Sequence, residues 1–259
     1  MPRSRESDYG VYSGRLAPEK DITNVFEEII VMIILVALAA GLRFWRLGAW
    51  GFWADEIFSL QDAQKFPGMV TINPIMYAIV HFSTNFLGTS EWSARLGPCV
   101  IGILSVPLLY WPAKKMFGAR VAMIACLFLA IHPWHIYWSQ NVRAYSLAFL
   151  FAGLSAFTFY MALERDSIGL TILSLFLTIL SIFSYSQTAL LLPALLWYII
   201  LVPFIPVGIP KGLNARNLLT FFSPLIIGAL LLLFLPSVRS YIYSGWGLNK
   251  WSRSPLYIL

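Results

Sequence analysis

The run from Val25 to about Phe44, VFEEIIVMIILVALAAGLRF, decides the fold class of this chain. After Glu28 it holds no charged residue until Arg43, and a helix of about 20 apolar residues crosses the hydrocarbon core of a bilayer. The run is too long for the apolar core of a signal peptide, and it has no small-residue cleavage site. It therefore predicts an uncleaved first membrane helix.

Similar apolar runs follow along most of the 259-residue chain, of which 59% is hydrophobic and only 12% charged. So few polar residues cannot cover the surface of a soluble domain. We predict an all-α integral membrane protein with about seven transmembrane helices. After the first helix, the predicted spans cover approximately residues 95–112, 121–137, 144–163, 169–185, 188–207 and 218–236.

The distribution of basic residues orients this bundle. The short connections that would be cytoplasmic hold six basic residues and those on the other side hold one, which places the N-terminal tail inside. The predicted organisation is a cytoplasmic tail at residues 1–24, a transmembrane module at 25–236 and an extracytoplasmic tail at 237–259. A long first loop at about 48–93 is extracytoplasmic, and its sequence predicts two short helices at the membrane surface.

Charge and cysteine content exclude two other classes of function. The formal net charge is +6, but the basic residues lie between apolar runs and form no cluster of the kind that binds nucleic acid. Both cysteines, Cys99 and Cys126, fall inside predicted spans, which argues against a disulfide framework or a thiolate metal site.

The strongest candidate for acid–base chemistry is Asp55-Glu56 in the first loop, directly after the aromatic cluster Trp50, Phe52 and Trp53. A carboxylate that faces a low-dielectric cavity becomes a better proton acceptor, so one of the two could act as a general base. The alternative is that both are helix-start acids, which the helix macrodipole favours.

A phosphate ligand is predicted at Arg143, which begins an apolar helix at the same membrane face. A guanidinium there can bind a lipid phosphate through two parallel hydrogen bonds. The alternative is an arginine that only anchors its helix at the interface. Lys65 and Arg95 are lesser candidates for the same role. His132 and His135 have a spacing compatible with metal ligation, but Pro133 lies between them and no third ligand is nearby.

Several segments, in order, resemble the lipid-dependent membrane glycosyltransferases of the GT-C type, especially protein O-mannosyltransferase-like and aminoarabinose-transferase-like members. The resemblance covers about residues 40–195. Its motifs are Phe52-Trp-Ala-Asp-Glu-Ile-Phe-Ser-Leu60, Asn73-Pro-Ile-Met-Tyr77, Gly88-Thr-Ser-Glu-Trp-Ser-Ala-Arg95, Lys114-Lys-Met-Phe-Gly118, His132-Pro-Trp-His-Ile-Tyr-Trp-Ser-Gln-Asn-Val-Arg-Ala-Tyr145 and Tyr185-Ser-Gln-Thr-Ala189.

This resemblance implies a GT-C-like helical bundle in which Asp55 is the catalytic base. Glu56 would orient the acceptor or a divalent metal; no other cofactor and no metal ligand set is predicted. The remaining donor-site residues implied by the motifs and the polar cluster are Arg143, Lys65, Arg95, Tyr145, Tyr137, Tyr77, Asn73 and Gln140. Asn73 and Gln187 stand where the family has histidines.

The predicted function is that of an inverting glycosyltransferase in the membrane. Its partners would be a polyprenyl-phosphate-linked sugar donor, membrane lipids, and a protein, lipid or glycan acceptor on the extracytoplasmic face. The alternatives are a non-catalytic protein that binds or transports a polyprenyl lipid, and a truncated subunit of a larger membrane complex. Only the enzyme needs Asp55 specifically, whereas a lipid-binding protein needs Arg143 and the groove.

Overall fold

The computed structural model describes residues 25–67, 73–204 and 208–234, so the predicted tails at 1–24 and 237–259 lie outside the described residues. The described part of the chain is helical and contains no strand. Its α-helices are α1 (Val25–Phe44), α2 (Ala54–Gln64), α3 (Pro74–Leu87), α4 (Glu91–Phe117), α5 (Ala119–Ile131), α6 (Pro133–Ser139), α7 (Tyr145–Arg165), α8 (Ile168–Ser184), α9 (Leu191–Leu201) and α10 (Ala215–Phe234). Two 3₁₀ helices, Ser186–Leu190 and Val202–Phe204, flank α9.

Among the described residues, four helical segments are long and apolar enough to cross a membrane: α1, α4, α7 and Ser186–Phe204. The pair α5 and α6 makes a fifth candidate, bent by 58°. The apolar helices α8 and Ala215–Leu231 of α10 are shorter. The chain is thus a multi-pass, all-helical membrane protein. Each predicted span overlaps one or two of these elements, the ends of 188–207 and 218–236 lie outside the described residues, and the count of seven stays a prediction.

Helix α4 lies at the centre of the bundle and packs against α1, α3, α5 and α7. One core cluster joins Leu35 and Ala39 of α1 to Val106 of α4 and to Cys126 and Ala130 of α5. Small residues at these positions allow the three helices to approach closely, as is usual between helices in membranes. Both cysteines of the chain are free and buried.

A seam of hydroxyl side chains, which the sequence reading missed, joins α7 to α8. Ser155 Oγ lies 2.6 Å from Thr178 Oγ1, and Ser174 Oγ donates to the Ser155 carbonyl at 2.9 Å. Such residues let helices pack closely and satisfy their own polar groups. The buried face of α8 consists largely of them: Thr171, Ser174, Thr178, Ser181 and Ser184.

The bend between α5 and α6 is stabilised by a buried arginine from α1. Pro133 has no N–H, so the Leu129 carbonyl, four residues earlier, lacks its helical donor. Arg43 supplies one, since its Nη2 donates to the Leu129 carbonyl at 3.1 Å and its Nη1 to the Ala130 carbonyl at 2.9 Å. The Arg43 Nη2 also donates to Nδ1 of His135 at 2.8 Å. The negative end of the α5 dipole thus compensates the buried guanidinium charge.

The C-terminus of α1 is capped in return by the segment that follows α6. Gln140 Nε2 donates to the carbonyls of Leu42, Arg43 and Trp45, at 3.3, 3.0 and 2.9 Å. The first two carbonyls belong to the last turn of α1, where no intrahelical donor is available, and the third directly follows it. The ends of α1 and α5–α6 therefore cap each other, and residues 140–145 are held beside the start of the first loop.

We call this end of the bundle, where α1 ends and α2, α4 and α7 begin, the site end. At the opposite end, Glu28 of α1 forms an ion pair with Lys114 of α4, and Tyr110 donates to the same carboxylate at 2.9 Å. There too, the Asp166 carboxylate at the end of α7 accepts hydrogen bonds from three side chains that lead into α10: Asn214 at 2.8 Å, Arg216 at 2.8 Å and Asn217 at 2.9 Å.

Candidate active site

Asp55 and Arg143 face each other at the site end. Asp55 is in the first turn of α2, and Arg143 lies in the short segment between α6 and α7. The Asp55 Oδ2 and Arg143 Nη2 atoms are 3.6 Å apart, and the two side chains are 45% and 27% exposed. Ser59, one helical turn after Asp55, lies 3.5 Å from Arg143 Nη1. The structure therefore brings the predicted base and the predicted phosphate ligand together at an accessible position.

Glu56, the other acid of the pair, is fully buried and bound to Arg95 of α4. Arg95 Nε donates to Glu56 Oε1 at 2.9 Å, and Arg95 Nη2 donates to Glu56 Oε2 at 2.7 Å. This is the two-bond geometry that an arginine and a carboxylate favour. The Asp-Glu dipeptide thus has one accessible acid and one internal acid.

Arg95 has no N–H left for a phosphate. Besides its two bonds to Glu56, its Nη1 donates to the carbonyls of Leu47 at 3.1 Å and Trp50 at 2.9 Å, and its Nη2 to that of Gly51 at 3.3 Å. These bonds use all five donors of the guanidinium, which is 2% exposed. The geometry gives Arg95 a structural position and argues against the phosphate role predicted for it.

The Glu56 carboxylate is equally saturated. Its Oε1 also accepts from the Val142 N–H at 2.8 Å, and its Oε2 accepts from the Trp53 N–H at 3.4 Å, which closes the N-terminus of α2. With the two bonds from Arg95, each oxygen accepts two hydrogen bonds. This geometry argues against Glu56 as a ligand for an acceptor or a metal. In the described part of the chain, no group of three His, Cys, Asp or Glu side chains has the arrangement of a metal site.

The three residues before Arg143 are each hydrogen-bonded to a residue between the end of α1 and the first turn of α2. Gln140 caps α1 as described above. Its amide nitrogen is therefore hydrogen-bonded within the protein, although we predicted that Gln140 binds the sugar donor. Asn141 Oδ1 accepts from Trp53 Nε1 at 2.9 Å, and the Val142 N–H donates to Glu56. Arg143 is the first side chain of this series that is directed at Asp55 instead.

Aromatic side chains form the wall beyond Arg143. The Arg143 guanidinium lies 5.8 Å from the centre of the Tyr145 ring, which is within reach of a cation–π contact. The Tyr145 ring contacts Trp138 at 4.2 Å and Tyr185 at 5.3 Å between centroids. Burial, followed by its hydrogen bond with Tyr145, raises the pKa of Tyr185 to about 12. The Tyr185 hydroxyl donates to Gln187 Oε1 at 2.5 Å.

Two further predicted residues, Tyr77 and Asn73, lie at the start of α3 beside this wall. Burial, with a smaller effect of Asp62, raises the pKa of Tyr77, while Arg143 and a hydrogen bond with Asn73 act in the opposite direction. Asn73 Oδ1 accepts from the Ser186 N–H at 3.2 Å, so it joins α3 to the residues after α8. The side chains of α2, α3, the 140–145 segment and Tyr185 thus converge on one site.

The remaining predicted residues, Lys65 and Tyr137, contact side chains other than Asp55. Lys65 forms an exposed ion pair with Asp62 at 3.2 Å and follows the last turn of α2, about 15 Å along the helix axis from Asp55. Tyr137 is 53% exposed and contacts Trp138 edge to face. Sequence reasoning missed the contributions of Asn141, Trp53 and Ser59. Of these, Ser59 was readable from its i+4 spacing to Asp55 on a helix.

The described residues define the class as a multi-pass membrane helix bundle, with an accessible carboxylate and guanidinium at one end. The model of the dolichyl-phosphate-mannose-protein mannosyltransferase family matches residues 71–238, more than half of the chain. The chain therefore belongs to this family of membrane glycosyltransferases, and the resemblance predicted from its motifs is confirmed. Arg95 and Arg143 lie within the matched region, whereas Asp55 and Glu56 precede it. Comparison with curated proteins and with solved structures gives no match.

Proposed function

We propose that the chain is an inverting GT-C glycosyltransferase that transfers a sugar from a polyprenyl-phosphate donor to an acceptor hydroxyl or amine. The observation that carries this proposal is the pair formed by Asp55 and Arg143, 3.6 Å apart and partly exposed. The family name, which specifies a dolichyl-phosphate-linked mannose, supports a donor with a lipid phosphate. A base and a phosphate ligand in adjacent positions are the two groups that such a transfer needs.

The proposed step assigns one role to each member of the pair. The acceptor oxygen or nitrogen forms a bond to the anomeric carbon, while the bond from that carbon to the donor phosphate oxygen breaks. The acceptor proton passes to the Asp55 carboxylate. The polyprenyl phosphate leaves with one additional negative charge, which Arg143 stabilises. Attack from the face opposite to the leaving phosphate inverts the anomeric carbon.

The surroundings of the pair suit a lipid-linked sugar. Trp138, Tyr145 and Tyr185 form an aromatic wall beside Arg143, and Tyr77 with Asn73 adds polar groups from α3. Carbohydrate and carrier sites combine apolar walls with a few converging polar groups. Glu56 and Arg95 have no direct part in the proposed chemistry, because their polar side-chain atoms are bound within the protein, and the Gln140 amide nitrogen is occupied by carbonyls at the end of α1.

We propose seven membrane crossings with the site end outside the cytoplasm. Helix α8 is 17 residues long, which corresponds to about 25 Å, and it spans the bundle together with α7. The positively charged connections support this orientation, since their basic residues all belong to the end of the bundle opposite to Asp55. They are Lys114, Lys115, Arg120, Arg165, Lys211 and Arg216. In this topology α2 and α3 lie at the membrane surface, and their exposed apolar residues Phe58, Phe82 and Phe86 face lipid.

The test is transfer of label from dolichyl-phosphate-[³H]mannose to membrane acceptors, in membranes with matched amounts of wild type and variants. Asp55→Asn removes the proton acceptor, and we expect transfer to fall by about 100-fold or more. Asp62→Asn is the matched control, since it makes the same change on the same helix at an exposed ion pair. Equal transfer by the two variants would overturn the assignment of the base.

The second arm separates the enzyme from a lipid-binding protein. Arg143→Ala is expected to lose both transfer and retention of dolichyl phosphate by the purified protein, because the phosphate loses its ion partner. Normal binding of dolichyl phosphate by the wild type, with no transfer from any labelled polyprenyl-phosphate sugar, would refute the enzyme and favour the carrier-binding alternative.

A further inference from the structure

The buried ion pair between Glu56 and Arg95 lies directly beneath the accessible pair of Asp55 and Arg143. Glu56 follows Asp55 in α2, and its carboxylate binds the N–H of Val142, which precedes Arg143. Both members of the accessible pair are therefore one residue away from the same buried carboxylate. We propose that Glu56 and Arg95 are positioning residues that set the separation between Asp55 and Arg143. In its consequence for catalysis, this inference rests on the proposed function.

The direction of the Glu56 carboxylate is fixed by Arg95. The two side chains are 0% and 2% exposed, and their two parallel hydrogen bonds leave the carboxylate no rotational freedom. Arg95 also donates to the carbonyls of Leu47, Trp50 and Gly51, so it holds the chain that enters α2. Helix α4 thereby fixes both the position of α2 and the direction in which the Glu56 oxygens point.

The 140–143 segment is aligned by the same carboxylate. Val142 donates its N–H to Glu56 at 2.8 Å, while Asn141 is held by Trp53 and Gln140 by the end of α1. These anchors occupy three successive residues and leave Arg143 as the first side chain free to meet Asp55. Loss of the Glu56 anchor would release the residue adjacent to Arg143, and a displacement of about 1 Å in such a site is enough to reduce turnover about 100-fold.

Glu56→Gln is the variant that tests this role. A glutamine has the same shape but offers an N–H₂ group where Arg95 needs an acceptor, so two donors meet. The matched control is Glu28→Gln, which makes the same change in the other carboxylate that pairs with a base of α4, at the opposite end of the bundle. Glu56→Asp is the second variant, because it keeps the charge for Arg95 but shortens the side chain by one methylene.

The direct readout is a distance that does not depend on catalysis. Cysteines replace both members of the pair, Asp55→Cys with Arg143→Cys, and bifunctional thiol reagents of increasing length are applied to the folded protein in detergent. With Glu56 intact, we expect the shortest reagents to join the two cysteines efficiently. In Glu56→Gln or Glu56→Asp, the yield with short reagents falls several-fold and longer reagents restore it. In the Glu28→Gln control, the dependence of the yield on reagent length is the same as in the protein with Glu56 and Glu28 both intact.

Unchanged length profiles in folded Glu56→Gln and Glu56→Asp protein would overturn the positioning role. If Glu56→Gln yields no folded protein, Glu56→Asp decides the question alone. In the transfer assay we expect a fall in kcat of about 100-fold for both variants, with normal kcat in Glu28→Gln. Failure of Asp55→Asn to lose transfer would remove the proposed function but leave the cross-linking result in force, so the two failures are distinguishable.

Discussion

The two ends of the helix bundle use the same residue types in different ways. At the opposite end, Glu28 binds Lys114 and Tyr110, and Asp166 binds side chains that lead into α10. At the site end, one acid–base pair is buried and complete, and the other is longer and partly exposed. The groups around Glu28, around Asp166 and around Glu56 with Arg95 each join segments of different helices. The pair of Asp55 and Arg143 contributes little to helix packing, because a partly exposed ion pair with a 3.6 Å separation is a weak contact.

This difference shows which charges are available for a substrate. The Glu56 carboxylate accepts four hydrogen bonds from the protein and has no capacity for another partner, and the fully used Arg95 guanidinium likewise cannot bind a phosphate. Asp55 and Arg143 retain that capacity because their mutual contact is incomplete. At the site end, saturation of hydrogen-bond donors and acceptors, more than residue type, separates the buried pair of Glu56 and Arg95 from the accessible pair of Asp55 and Arg143.

The largest effect is expected when a buried pair is broken at the site end. Arg95→Ala leaves the Glu56 carboxylate buried and unpaired, which should lower the free energy of unfolding by about 3–5 kcal/mol. The comparison is the exposed ion pair of Lys65 and Asp62, where Lys65→Ala should cost at most about 1 kcal/mol. Thermal unfolding of both variants in detergent measures the two values. Similar losses would contradict the contrast between a buried and a peripheral pair.

An intermediate effect is expected at Asn217, whose side chain is buried at the opposite end. Its Nδ2 donates to Asp166 at 2.9 Å and to the Gly212 carbonyl at 3.0 Å. Asn217→Ala leaves that carbonyl without this donor and should cost about 1–3 kcal/mol of unfolding free energy. Transfer by the folded protein should not change, since the change lies at the far end of the bundle. Thr220→Ala, at a half-buried position three residues later, is the control.

A smaller effect tests the weakness of the accessible pair. Asp55→Asn frees Arg143 from its only described carboxylate partner, so dolichyl phosphate should bind more tightly although transfer is lost. An exposed ion pair contributes about 0–1 kcal/mol, so the dissociation constant should fall by at most about fivefold. A binding titration with purified Asp55→Asn and Asp62→Asn measures this. Weaker binding by Asp55→Asn alone would show that Asp55 contributes to donor binding.

The smallest effect is a pH dependence at the opposite end. Hydrogen bonds from Asn214 and Asn217, with Arg216 nearby, hold the pKa of Asp166 below its usual value. A carboxyl with a lowered folded pKa stabilises the protein above its unfolded value of about 3.9, and this contribution is lost as the pH falls through the folded pKa. Asp166→Asn should therefore unfold at a lower temperature than wild type near neutral pH, and the gap should close below about pH 4. A gap that does not depend on pH would contradict this prediction.

The helices were predictable from the sequence, whereas the roles of individual charges were not. Apolar runs such as Val25–Phe44 specify helices because hydropathy is a local property. Arg95 and Glu56 are 39 residues apart, and nothing in either motif shows that they saturate each other. Gln140 is similar, because its three partners lie almost 100 residues earlier. A motif identifies residues that matter, but only the packing shows whether a donor or an acceptor is still free.

The accessible pair was the more predictable part of the site. Asp55 was singled out by an acidic dipeptide after an aromatic cluster, and Arg143 by a cation at the start of an apolar helix. Both signals come from polar groups at a membrane boundary, where they need a specific reason to occur. The seam between α7 and α8 gave no such signal, because Ser and Thr are common in apolar helices and their partner is another helix.

During synthesis, α1 leaves the ribosome long before α5 and α6 exist. At that stage, the Arg43 guanidinium has only the Ala39 carbonyl among the partners it has in the finished bundle. An unpaired guanidinium stays near water, because hydrocarbon solvates it poorly. The end of α1 should therefore stay at the boundary between lipid and water until residues 129–135 have been synthesised and supply the remaining hydrogen-bond partners of Arg43.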